Sequence, residues 1–208
     1  MSAKFITFEG TEGVGKTTAI ARLCERLRDT GTQVVQTREP GGSELAEKLR
    51  AMLIDPATKI DDATELLLMF TARSDHLHHT ILPALNAGKW VVCDRFIDSS
   101  VAYQGYRRWQ GDPDKLAKID GLIENFVHRL PDMTLWLDLP IAEGMARAGK
   151  RGEADRFEAE ALAFFERVHQ GFAKQQQRHP NRIHRIDASG TVEAVSERVW
   201  QAVQGLDS

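Results

Sequence analysis

Long apolar runs are missing from this sequence, and cysteines are few. No stretch of the 208 residues approaches the ~18 consecutive apolar residues that a membrane span needs. The N-terminal MSAKFITFEG has no long apolar stretch followed by a cleavage site, so export is not expected and the cytoplasm is. The two cysteines, Cys24 and Cys93, sit in apolar segments and are expected to pack as small hydrophobes, not to pair. That fits a reducing compartment. A strong charge excess is also lacking: the net charge is −3, so no bulk field recruits nucleic acid. Affinity for a phosphate must come from a local cluster of Arg and Lys. No repeat or low-complexity linker divides the chain. What remains reads as one domain, long enough to bury a sizeable core.

Short β-branched or aromatic runs alternate with longer helical patterns. Strands are expected at 5–8, 33–36, 90–93, 135–139 and 183–186. They are apolar without strict alternation, as in strands covered on both faces. Helices are expected at 16–30, 43–54, 62–86, 154–178 and 192–203. Leu66, Leu67, Phe70 and Leu77 recur at helical spacing in the third, and Leu162, Phe165 and Val168 in the fourth. Strand, helix, strand with crossovers this long predicts an α/β fold, a parallel sheet with helices on both faces.

The first strand runs into GTEGVGKT, which fits G-x-x-x-x-G-K-[ST] at Gly10, Gly15, Lys16 and Thr17. Glycines let consecutive N–H groups turn inward on phosphate oxygens, and the helix beginning near Lys16 adds the positive end of its dipole. Thr11, Glu12, Gly13, Val14 and Thr18 complete the expected ATP-binding loop. Lys16 is expected at the β- and γ-phosphates, and the Thr17 hydroxyl on Mg²⁺. Glu12 is the odd member, a carboxylate inside an anion cradle.

A P-loop identifies the donor alone. One reading of the rest is a nucleotide-dependent switch, since residues 58–61 spell TKID, like the guanine-reading [NT]KxD. The context is wrong: it follows Asp55-Pro56, lies before the long helix, and precedes the DxxG at 187–190. TKID reads as a helix-entry loop. The kinase reading gains from Arg38 and Arg95, which follow the second and third strands, and from Arg50 on the next helix. Ligands of open parallel sheets bind beyond the carboxyl ends of strands, so these should face the P-loop crevice. A phosphate acceptor needs such charge and no strong base, whereas a hydroxyl acceptor, as in a deoxynucleoside kinase, wants a carboxylate base. Asp94 ends an apolar strand, as does the acidic residue that orients Mg²⁺ in P-loop enzymes; an N-cap is its other reading, and Asp138 a rival for the metal.

Together FEGTEGVGKTT, TREPGG, the FTAR segment, DRFIDSSVAYQG and RAGKRGEADRFE resemble the thymidylate kinase family, over residues 5 to about 158. The resemblance implies transfer of the γ-phosphoryl of ATP to dTMP with Mg²⁺, strand order 2-3-1-4-5, and a homodimer. It implies that Arg50 and Arg95 hold the acceptor phosphate, with Glu39 and Pro40 of TREPGG nearby. Arg73 would read the thymine carbonyl edge and an aromatic would stack on the ring. Phe70 is the better π surface, although many relatives place the aromatic where Met69 stands. Ser100 and Gln104 match base-contacting positions, Tyr103 one beneath the sugar, and Glu12 one that meets the 3′-hydroxyl. The P-loop has no arginine, unlike that of some relatives. A basic lid over about 144–156, with Arg147, Lys150, Arg151 and Arg156, would supply that charge, Arg151 foremost.

Two further signals carry little. His76, His78 and His79 lack the additional ligands a metal centre needs. RRWQGD is too short to argue for nucleic-acid binding.

Overall fold

The computed structural model describes residues 2–147, 149 and 156–207, with the side chains of 156–161 and 207 set aside. Five strands, β1 (Phe5–Glu9), β2 (Val34–Arg38), β3 (Trp90–Asp94), β4 (Met133–Asp138) and β5 (Ile183–Asp187), form one sheet in the order β2-β3-β1-β4-β5. Every pairing is parallel. β1 lies between β3 and β4, with Ile6 opposite both Val92 and Met133. The strand order therefore reverses at β1, and a crevice opens at its carboxyl end.

The strand residues alternate between two cores. Ile6 and Phe8 face α1 (Lys16–Asp29) and α9 (Val192–Gln204), against Ile20, Leu23, Cys24, Val199 and Val203. Phe5, Val91 and Cys93 face the other way, against Leu66, Phe70, Ile81, Phe96 and Ile119. This second layer comprises α3 (Asp62–His76), α4 (Leu82–Asn86), α5 (Ile97–Ser100) and α6 (Pro113–Phe126), with α2 (Glu44–Ile54) packed outside α3. The short α7 (Ile141–Arg147) follows β4, and α8 (Arg156–Arg178) lies against the stretch Val101–Arg108. A Cβ on Gly171 of α8 would sit 2.7 Å from the Ala102 Cα, so glycine sets that close approach.

Each strand was expected within two residues of where it lies. The long helix expected over 62–86 forms, but it widens at Leu77–Ile81 into π geometry, with Leu82 N–H reaching back to Leu77. Pro83, one residue on, has no N–H to give the regular ladder. Leu67 and Leu162 were expected on buried faces and are 55% and 40% exposed. Leu67 adjoins Leu66, and consecutive helical residues point about 100° apart. TKID does serve as a helix entry: Asp61 caps α3, accepting from Ala63 and Thr64 N–H. Cys24 and Cys93 are both buried and unpaired. Among the described residues no helix is long and apolar enough to cross a membrane.

Candidate active site

The glycine loop leaves β1 in conformations that side chains resist. Gly13 has φ +77° and Gly15 φ +89°. A Cβ on Gly13 would lie 2.0 Å from the Gly144 carbonyl oxygen, so the loop is pressed against α7. Gly15 is the N-cap of α1, which puts the positive end of that helix at the loop. Val14 has its side chain in the core, leaving only its backbone for a ligand. Lys16 is buried, its Nζ donating to the Gly10 and Thr11 carbonyls at 3.1 and 3.2 Å. Thr11 is buried as well, whereas Glu12, Thr17 and Thr18 are exposed.

Arg95 begins the turn after β3 with φ +68°, a strained value for a residue with a side chain. Its Nη1 donates to Ser99 Oγ at 3.1 Å, and its guanidinium lies 4.9 Å from the centre of the Tyr103 ring. The Tyr103 hydroxyl is buried with no partner among the described residues. Arg50 Nη1 donates to the Pro40 carbonyl at 2.8 Å. Arg38 is different: half exposed, it pairs with Glu47 at 2.9 Å.

Arg73 is 1% exposed and engaged on one side. Its Nε donates to Glu39 Oε2 at 2.7 Å, Nη1 to Ser100 Oγ and Nη2 to the Phe96 carbonyl, both at 3.0 Å. The other Glu39 oxygen meets His76 Nδ1 at 3.1 Å, and His76 Nε2 meets Thr37 Oγ1 at 2.7 Å. The Arg73 guanidinium lies 4.8 Å from the Phe70 ring centre. On the opposite side of the glycine loop, Gly15 and Thr18 border a small groove with Arg147, Ala188, Gly190 and Val192. Arg147 Nη1 reaches the Ala188 carbonyl at 3.3 Å there.

The family model described as thymidylate kinase matches residues 8–199. The chain belongs to the thymidylate kinase family. A thymidylate kinase of Psychrobacter sp. is 67% identical over 200 residues, 96% of each chain, and one of Alkalilimnicola ehrlichii is 50% identical, covering 96% of this chain and 92% of that one. The crystal structure of thymidylate kinase from Ehrlichia chaffeensis superposes with a TM-score of 0.79 at 34% identity, over 98% of this chain and 99% of that one. The protein is thus a nucleoside monophosphate kinase, a phosphotransferase with ATP as donor.

In this kinase, burial and then Arg95 push the Lys16 ammonium down to about 8, against Asp94, Glu9 and Glu12. Below that pH Lys16 is charged and ready for a triphosphate; above it, a proton must be taken up on binding. ATP affinity is therefore expected to fall as pH rises from 8 to 9. Calorimetry in buffers of different ionisation enthalpy should show proton uptake near pH 8.5, and none at pH 6.5. Equal uptake at both would remove Lys16 as its source.

The two carboxylates considered for a metal behave differently in the kinase. Asp138 accepts from His169 Nε2 at 2.8 Å and Arg185 Nε at 2.6 Å, so it is committed. Asp94 Oδ1 is buried without a hydrogen-bond partner among the described residues. Lys150 and Arg151 lie outside the described residues. His76 serves Glu39, His79 lies against Asp75, and no cluster of metal-binding side chains occurs among the described residues.

Sequence reasoning missed Glu9. It is fully buried at the end of β1, and accepts from Phe96 N, Ser99 N and Ser99 Oγ at 2.8, 3.1 and 2.6 Å. Burial, and Asp98 beside it, raise its carboxyl to about 7, while Arg95 opposes the shift. Glu9 thereby pins the turn carrying Arg95 through Ser99, to which Arg95 also donates. Its only signal was an acidic residue ending an apolar strand. Asp98 was missed too; it forms a double ion pair with Arg182, 84 positions away, which no local pattern reveals.

Proposed function

We propose that the kinase transfers the γ-phosphoryl of ATP to dTMP, giving dTDP and ADP. The observation that carries this is two cations brought to the end of β1: Lys16, buried with its Nζ on the Gly10 and Thr11 carbonyls, and Arg95, half-buried with its backbone N–H on the Phe8 carbonyl at 2.8 Å. Two fixed positive charges at one strand end suit two anionic reactants meeting end to end. Loop N–H groups from Gly10 to Thr18 and Lys16 Nζ cradle the donor phosphates. The groove at Gly15, Thr18, Arg147 and Gly190 suits the donor base, so Arg147 serves there as well as at the lid. Arg95 and Arg50 hold the acceptor phosphate, and Pro40 places Arg50 through its carbonyl. The acceptor phosphate is ionised near neutral pH, so no side chain needs to remove a proton.

On the nucleoside side, Phe70 stacks on the ring and Arg73 reads it. A guanidinium has five N–H donors; Glu39, Ser100 and Phe96 take one each, leaving donors for the thymine O4. Glu39 acts by orienting Arg73, since both its oxygens are engaged by Arg73 and His76. Tyr103 packs beneath the deoxyribose and Glu12 accepts from its 3′-hydroxyl. Thr17 and Asp94 fit Mg²⁺: both offer hard oxygen ligands, and Asp94 Oδ1 is buried with no partner among the described residues. Held by these residues, the ion would supply charge neutralisation for the donor phosphates. Arg151 is assigned to the lid charge at the transferring phosphoryl.

Coupled ADP release from Mg-ATP should be fastest with dTMP among dTMP, dUMP, UMP, dCMP and thymidine, with thymidine nearly inactive. Turnover on thymidine but not dTMP would overturn the phosphate-acceptor reading.

The exposed apolar side chains Leu45, Leu67 and Phe126, on α2, α3 and α6, line one surface cavity with Phe70 and Leu122. An apolar patch of this kind supports a homodimer through these helices. Sedimentation equilibrium should give twice the chain mass, and Leu67→Asp should halve it. A monomeric parent protein would refute the assignment. Two unpaired thiols support a cytoplasmic location, which cell fractionation would test.

A further inference from the structure

Gln104 presents a buried acceptor with no partner among the described residues. The residue is 5% exposed and lies on the Val101–Arg108 stretch, four residues beyond Ser100, the hydroxyl that Arg73 grips. Its Nε2 donates to Glu65 Oε1 at 2.8 Å, while its Oε1 is buried with no partner among the described residues. Glu65 Oε2 in turn accepts from Arg108 Nη2 at 2.6 Å, and Arg108 also meets Asp62 at 3.2 Å.

A carboxylate only accepts hydrogen bonds. The NH₂ end of Gln104 must therefore face Glu65, and the amide cannot turn over without setting oxygen against oxygen. The carbonyl end is thus fixed as a free acceptor. We infer that Glu65 is a specificity-determining positioning residue: by locking the Gln104 amide, it makes the acceptor site take 4-keto pyrimidines and reject 4-amino ones.

The chemistry follows from the base edges. Thymine and uracil offer an N3–H donor beside an O4 acceptor. Cytosine inverts both, with an N3 lone pair beside an amino group. A Gln104 Oε1 fixed four residues beyond the Ser100 that Arg73 holds lets acceptor and donors complement the first pattern and oppose the second at both atoms. A free amide could rotate and offer Nε2–H to cytosine N3. Sites built to hydrogen-bond a ligand reject a mismatched one strongly because buried polar groups are left unpaired. Glu65 touches no substrate; it acts through Gln104.

This inference rests on the dTMP reading, and the test separates the two. Steady-state kcat/KM would be measured with dTMP, dUMP and dCMP on the intact chain and on Glu65→Gln and Glu65→Ala. Glutamine at 65 can face Gln104 with either end, and alanine releases it. The preference for dTMP over dCMP is expected to shrink by at least about 10-fold in both variants, partly through a gain on dCMP. The dTMP to dUMP ratio should hold within about 2-fold, since N3 and O4 are the same in both. A dTMP to dCMP ratio unchanged in whichever variant folds, or equal losses on all three substrates, would overturn the inference, the latter marking Glu65 as merely structural. If the parent protein itself did not phosphorylate dTMP, the substrate reading would fall first.

Discussion

Replacing Arg95 by alanine should lower kcat about 10³-fold, the range seen when a fixed arginine is removed from a transferring phosphoryl group. The geometry explains why the loss should fall on turnover. Arg95 sits at φ +68°, held between the Ser99 hydroxyl and the Tyr103 ring, in a turn pinned by Glu9. Its charge is thus placed before any ligand arrives, and no reorganisation is needed as charge builds in the transition state. Arg95→Lys should recover little, because an ammonium cannot span two phosphate oxygens as a guanidinium fork does. Circular dichroism and the melting temperature of Arg95→Ala should stay near the parent values, since the turn keeps its Glu9 contacts through backbone N–H groups. A variant with kcat within 10-fold and only a raised dTMP KM would reduce Arg95 to a ground-state binder.

The largest loss of stability is expected from Arg73→Leu. Arg73 and Glu39 have side chains 1% and 2% exposed, joined at 2.7 Å. Removing the arginine leaves a carboxylate buried with His76 alone, and breaking a buried pair from one side costs about 3–5 kcal/mol. For a chain of this length that corresponds to roughly 10 °C in melting temperature. The double variant Arg73→Leu, Glu39→Leu should recover much of that stability, because no uncompensated charge remains. It should recover no dTMP turnover, because the base is still unread. Thermal denaturation and the ADP assay on both variants check this. A single variant melting within 2 °C of the parent would mean that the pair carries no such weight.

Much of this was legible in the sequence because its signals are local. The glycine loop is contiguous, and its chemistry depends on backbone freedom at a few adjacent positions. Apolar runs mark β1 and β3, so Gly10 onward, and Asp94 with Arg95, were placed correctly at strand ends. Arg73 and Phe70 share a helical face by spacing alone. The widening of the long helix at Leu77–Ile81 was less visible, because only Pro83 hinted at it.

The sequence by itself determined the strand–helix alternation, the phosphate loop and the set of arginines available for a second anion. Each depends on interactions between near neighbours along the chain. Only the tertiary structure decided which groups are spent and which are free. It committed Asp138 to His169 and Arg185 and left Asp94 Oδ1 without a partner among the described residues; it turned Glu39 onto Arg73 and His76, and Gln104 onto Glu65. Most buried polar groups find a partner wherever the fold brings one. Those partners lie tens of residues away in the chain, beyond the reach of any local pattern.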